Sequence, residues 1–131
     1  MLIVKKLTAL FFAFLVPMFA FGCAVSVGVK EINYRKDGKS VVTVSYKKLN
    51  ARKRYSVVVG DGEKVAVEIE IVSKGGSLAL SIGRVGFPLD YSGNNLETGS
   101  FTVYLNEAGT YDMIFSAKDH AGSFKAEYQT I

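Results

Sequence analysis

Val65, Val67, Ile69 and Ile71 alternate with Ala66, Glu68, Glu70 and Val72, so every second side chain is a branched aliphatic and two carboxylates fall on the opposite face. A strand turns successive side chains to opposite faces, and this period of two marks a half-buried β-strand. The alternation recurs at Leu78, Leu80 and Ile82, at Phe101, Val103 and Leu105, at Tyr111, Met113 and Phe115, and at Phe124, Ala126 and Tyr128. Nearer the start, residues 25–32, 41–46 and 55–59 read as further strands, and a short 85–89 piece is interrupted by Pro88. Between these runs stand Asp37-Gly38, Asp61-Gly62, Gly75-Gly76, Ser92-Gly93-Asn94-Asn95, Ala108-Gly109 and His120-Ala121-Gly122. Gly, Asn and Asp are the residues that reach φ > 0 cheaply in tight turns. The gaps leave no room for the crossover helices that parallel strands need. The expected fold is all-β, an antiparallel β-sandwich of about eight short strands after an N-terminal signal helix. The polar stretch 46–54 has no apolar stripe and at most one helical turn.

The signal helix is read from the first residues. Lys5 and Lys6 precede a 15-residue, largely apolar run from Leu7 to Phe21. That run is shorter than the roughly 20 residues needed to span a bilayer, so it reads as a secretory signal peptide. The expected division is a signal peptide over residues 1–23 and a single β-sandwich domain over 24–131, working outside the cytoplasm. Cys23, the one cysteine, lies on the border. Ala20-Phe21-Gly22-Cys23 resembles a bacterial lipobox, which implies that Cys23 is diacylated and becomes the new N-terminus, with the membrane as partner. The competing reading is ordinary cleavage after Ala24, or after Ala20, giving a periplasmic or secreted soluble protein. A thiol without a role is the third reading.

Removing the leader through Gly22 leaves 109 of the 131 residues, enough for one modest core. It also leaves 14 basic residues (16 less Lys5 and Lys6) against 12 acidic ones, a net charge of +2. No intramolecular disulfide can form, so packing and hydrogen bonds must hold the domain in an oxidising compartment.

Candidate chemistry is sparse. His120 is the only imidazole and reads as a polar turn residue. No G-x-S-x-G elbow is present, and Cys23 is misplaced for a nucleophile. Glu68 and Glu70 share a strand face and read as solvated. Asp61, Glu63, Asp90, Asn94 and Asn95 are loop oxygens without the spacing of a calcium loop, and Gly60-Asp61-Gly62 reads as a hairpin turn. No catalytic residue, metal or cofactor is expected, and the chain is not expected to be an enzyme. Lys47, Lys48, Arg52, Lys53 and Arg54 put five cations in eight residues between Tyr46 and Tyr55. They read either as a contact for an anionic envelope surface or as a solvated loop that blocks edge-to-edge pairing. Another envelope protein is a further possible partner; nucleic acid is not one for an exported chain. Five of the nine phenylalanines lie in the leader, and Tyr91 and Tyr104 read as the exposed rings.

Glu107-Ala108-Gly109-Thr110-Tyr111-Asp112-Met113 resembles the acid-x-Gly-x-Tyr-x-Cys run of immunoglobulin-like domains, with Met113 at the cysteine position. The resemblance implies a tyrosine hydroxyl bonded back to nearby backbone. Residues 77–128 look like the second half of a GOLD-type β-sandwich. Thr98-Gly99-Ser100-Phe101-Thr102-Val103 followed by the Gly109-Thr110-Tyr111 turn resembles small bacterial cell-envelope lipoproteins. These likenesses imply a fold and a location, not an activity. The expected function is an exported, lipid-anchored, non-catalytic binding or scaffolding module at the cell envelope. The alternatives are a secreted protein- or glycan-recognition module, and a structural subunit assembling by strand addition along an edge such as residues 25–32.

Overall fold

In the computed structural model, which describes residues 25–131, Phe115 and Phe124 belong to one strand, β6 (Gly109–Thr130), yet their rings stack with centroids 3.9 Å apart. A straight strand rises about 3.3 Å per residue and would hold them about 30 Å apart. The strand is therefore folded back on itself, and its neighbours β2 (Lys39–Val59) and β3 (Val65–Arg84) fold with it. The fold line lies where both registers slip. Tyr46, Leu49 and Ala51 of β2 face Gly122, His120 and Ala117 of β6. Ser73, Gly75 and Ser77 of β3 face Gly122, Ala121 and Lys118. Each slip inserts an unpaired residue, a bulge that bends the strand.

Each long strand thus serves two layers. The first layer runs β1 (Lys30–Lys36), first half of β2, second half of β6, first half of β3, then β5 (Gly99–Leu105). The second runs second half of β2, first half of β6, second half of β3, then β4 (Tyr91–Gly93). Every pairing is antiparallel. This is the all-β antiparallel sandwich that the alternation predicts, with a different count: six strands stand where about eight short ones are expected. The reason is local, since Gly75-Gly76 and His120-Ala121-Gly122 are bulges inside continuous strands and not turns between separate ones. Stretch 46–54 is also strand, carrying β2 around the fold without a helical turn. Residues 85–89 are loop, with Val85, Phe87 and Leu89 exposed and the Arg84 guanidinium 3.9 Å above the Phe87 ring. The signal segment and Cys23 lie outside the described residues.

Two glycines permit the fold line. Gly122 (φ +135) lies so close to the Val72 carbonyl oxygen that a Cβ has no room, and Gly76 (φ +69) is crowded in the same way by the Asp119 carbonyl. Elsewhere Asp37 and Gly38 (φ +53 and +78) form the two-residue β1–β2 turn with both central residues left-handed, as a type I′ hairpin requires.

Between the layers, Val44, Val67, Leu78, Ile82, Met113, Phe115 and Phe124 are fully covered. Each such side chain contributes about 1.5–3 kcal/mol, so a bridge-free interior of this size can hold the two layers together. Met113 fills the interior at the position where the immunoglobulin pattern has its cysteine. The Tyr111 hydroxyl donates to the Glu107 carbonyl at 2.7 Å, the corner contact which that resemblance implies.

Candidate functional site

Because Val67, Ile69 and Ile71 take the inner face of β3, Glu68 and Glu70 point outward. The register sets Glu127 of β6 beside Glu68 and Lys125 beside Glu70, with Thr102 and Ser100 of β5 on the other side. These six side chains line an open groove of about 270 Å³ on the outer face of the five-stranded layer. Tyr104, 59% exposed, shares that face at the β5 edge, and Tyr34, 51% exposed, shares it at the β1 edge. Four strand spacings of about 4.8 Å separate those edges, so the two rings flank the groove on the order of 19 Å apart. Tyr91 is elsewhere: half-buried, it stacks on Phe101 at 4.9 Å between the layers. Tyr91 and Tyr104 therefore lie on opposite faces and share no platform.

The alternation of β2 parts the five cations singled out in the sequence. Arg52 and Arg54 are exposed on the outer face of the four-stranded layer, beside Ser116 and Ile114. Lys53, between them, turns to the seam between the layers, 3.5 Å from Glu31. Glu31 also accepts from the Tyr55 hydroxyl at 2.8 Å and the Asn33 amide at 3.0 Å. Burial pushes the Glu31 carboxyl up, but Tyr55, Asn33 and Lys53 outweigh it and hold it below the usual range. Burial, and then Glu31, pushes the Tyr55 hydroxyl up. This clasp ties β1 in one layer to the second half of β2 in the other.

Lys47 and Lys48 stand at the fold line, Lys47 exposed and Lys48 3.3 Å from Asp119. Asp119 accepts from the Asn50 amide as well, at 3.0 Å, and Asn50 and Lys48 together hold its carboxyl below the usual range. Lys74 and Lys118 are exposed on the neighbouring bulges. The chain leading into β1 is fastened at this same end. The Val27 N–H donates to the Lys48 carbonyl at 2.7 Å, and the Asn50 N–H donates to Ser26 Oγ at 2.9 Å.

His120 is not the turn residue its neighbours suggest: it is fully buried inside β6. Its Nδ1 is 2.6 Å from the Tyr46 hydroxyl and its Nε2 is 3.0 Å from Ser73 Oγ. Burial lowers its affinity for a proton and pushes the Tyr46 hydroxyl up. A serine, a histidine and a third polar group are the parts of an activated nucleophile. Here both ring nitrogens are taken up by hydroxyls from β2 and β3, so the group ties three strands at the fold line. No local signal marks it, since its partners lie 74 and 47 residues away in sequence.

The loop oxygens are scattered: Asp61 and Glu63 sit in the β2–β3 connection, and Asp90, Asn94 and Asn95 flank β4. Among the described residues, no three His, Cys, Asp or Glu side chains come together in a way that could hold a metal ion.

No protein-family model matches the chain, nor does any curated protein sequence. Solved structures similar to it include one described as "CBM4 structure and function", 11% identical over 80% of this chain and 79% of that one, with a TM-score of 0.41. TmCBM61, solved in complex with beta-1,4-galactotriose, is 14% identical over 85% of this chain and 92% of that one, with a TM-score of 0.40. The Schizosaccharomyces pombe Cnp3 cupin domain is 12% identical over 82% of this chain and 65% of that one, with a TM-score of 0.39. At this level the likeness carries no argument about what this chain binds.

Proposed function

We propose that this chain is an exported, non-catalytic binding module, held at the bacterial cell envelope by a lipid on Cys23 and contacting a glycan with the outer face of its five-stranded layer. The observation that carries the reading is the make-up of that face. A sugar ring presents apolar C–H surfaces and a rim of hydroxyls. Exposed Tyr34 and Tyr104 suit the first. Glu68, Glu70 and Glu127 accept from hydroxyls, and Lys125, Ser100 and Thr102 donate to them. The groove is open along the sheet, so a chain of several rings can lie across it.

The anchor is supported by where residues 26 and 27 are held. Ser26 and Val27 are fastened at the fold line, beside exposed Lys47, Lys74 and Lys118. A lipid on Cys23, three residues before Ser26, brings these cations within reach of anionic headgroups, where each contributes on the order of 1 kcal/mol.

Retention of the mature protein on immobilised cell-wall polysaccharides tests the ligand. At least one polymer retains it, and Glu70→Gln and Tyr104→Ala each weaken that binding about tenfold without moving the melting temperature. Retention indifferent to both substitutions overturns the reading. The anchor is tested separately by growing cells on labelled palmitate. Label enters the wild-type protein and not Cys23→Ser, whereas a free N-terminus at Val25 in the mature mass spectrum ends the lipid proposal.

A further inference from the structure

We propose that two copies of this domain pair edge to edge through β5, joining their five-stranded layers into one ten-stranded sheet about a two-fold axis at Thr102. β5 pairs with β3 on one side over its full length, Gly99 to Leu105, without a bulge. Its other side meets no strand and no backbone hydrogen bond among the described residues. Every second residue of such a strand turns its N–H and C=O outward, a template for another strand.

What sets β5 apart is the absence of any guard. Soluble proteins blunt free edges with charges, prolines, bulges or brevity. The free edge of β1 carries Lys30, Glu31, Arg35 and Lys36, and that of the second half of β2 carries Arg52, Lys53 and Arg54. β4 is only three residues long. β5 reads Gly-Ser-Phe-Thr-Val-Tyr-Leu, with no charge and no proline.

The occupant follows from the same seven residues, because they complement themselves. With Thr102 opposite itself, Phe101 of one copy faces Val103 of the other on the inner face, and Ser100 faces Tyr104 on the outer face. Thr–Thr and aromatic–β-branched pairs are among the favourable cross-strand neighbours. A shift by one residue in the pairing would set inner-face side chains against outer-face ones, and of the registers that keep the faces apart the one centred on Thr102 pairs all seven residues. Glu97 and Glu107, the first charges on either side, lie outside the strand and confine the pairing to it. The contact is isologous, so it closes at two copies. A single strand pair buries less than the roughly 1,200 Å² of a standard interface, which places it among the weak, concentration-dependent associations. The two strands run in opposite directions, so the two N-terminal segments leave from opposite ends and an anchored pair lies along a membrane. None of this depends on what the outer face binds.

Sedimentation equilibrium of the mature protein from about 1 to 500 µM tests the pairing. The wild type passes from monomer to dimer, Thr102→Lys stays monomeric because it sets two cations against each other, and Thr110→Lys, on the other layer, dimerises as the wild type does. Hydrogen exchange reads the same contact without a substitution: alternate β5 amides gain protection as concentration rises. A wild type monomeric throughout, a Thr102→Lys dimer, open-ended growth beyond two copies, or β5 amides indifferent to concentration each overturns the proposal.

Discussion

Gly122→Ala is expected to lose at least about 3 kcal/mol of stability and to leave little folded protein at 37 °C, while Gly38→Ala loses about 1 kcal/mol. Both glycines have positive φ, +135 and +78, so both substitutions place an L-residue in a conformation it resists. They differ in what surrounds them. A Cβ at Gly38 meets nothing within 4 Å, whereas a Cβ at Gly122 is driven into the Val72 carbonyl oxygen. Relieving that overlap means moving β3 away from β6 at the fold line, where Ser73 pairs with Gly122. The cost then spreads to both layers, because the bend that stacks Phe115 on Phe124 is set at that point. Urea unfolding followed by circular dichroism ranks the two variants; equal midpoints would mean that the bend tolerates a side chain and is fixed elsewhere.

The second large effect is expected at His120. His120→Ala removes a fully buried ring and deprives the Tyr46 and Ser73 hydroxyls of their common partner. The cavity and the hydroxyls left behind together cost about 3–5 kcal/mol. The wild type should also carry a pH signature. Burial holds the folded-state pKa of His120 below the ordinary 6.5. As pH falls, the unfolded chain therefore takes up the proton first. Stability is complete above 6.5 and declines below it until the lower folded value is reached, with a slope of at most about 1.4 kcal/mol per pH unit. The lowered carboxyls of Glu31 and Asp119, ordinarily at 4.5 and 3.8, add their own losses only further down. With one histidine in the chain, the interval just under 6.5 belongs to this ring, and His120→Phe abolishes the slope there. A wild-type stability flat from pH 7 to 5, or a His120→Ala loss below about 1 kcal/mol, sinks this account.

The strand segments were legible because each carries its own alternation: Val65 to Ile71 and Leu78 to Ile82 turn out as read, inner residues buried and Glu68 and Glu70 outside. What joins the segments was not legible. A bulge and a turn draw on the same residues, Gly and Asp at positive φ, as Gly76 and Asp119 do here. Whether the chain reverses or merely bends is decided by its neighbours across the sheet, and β6 lies between β2 and β3 although it is last in sequence. The same holds for the site. Glu68 and Glu70 declare their face locally, but Glu127, Lys125 and Thr102 join them through a register that no local window contains. His120 misleads for a related reason: among Asp119, Ala121 and Gly122 it has the company of a turn, and only Tyr46 and Ser73 make burial tolerable. Residues 85–89 mislead in the opposite sense, being apolar enough for a strand yet exposed beside Gly86 at φ +83.

β1 contributes no buried side chain, although it is the first strand after the N-terminal segment. A mechanical load arriving through a lipid at Cys23 would have to break the Ser26 and Val27 contacts, then the Glu31 clasp and the rungs to β2. Peeling as far as the Asp37-Gly38 turn frees about 14 residues, on the order of 45 Å of extended chain. Val42 and Val44 keep their rungs to Ala126 and Phe124 of β6 throughout, so β2 stays in the sheet. The edge strand is thus a length of slack that a pull on the N-terminal segment draws out before the rest of the domain yields.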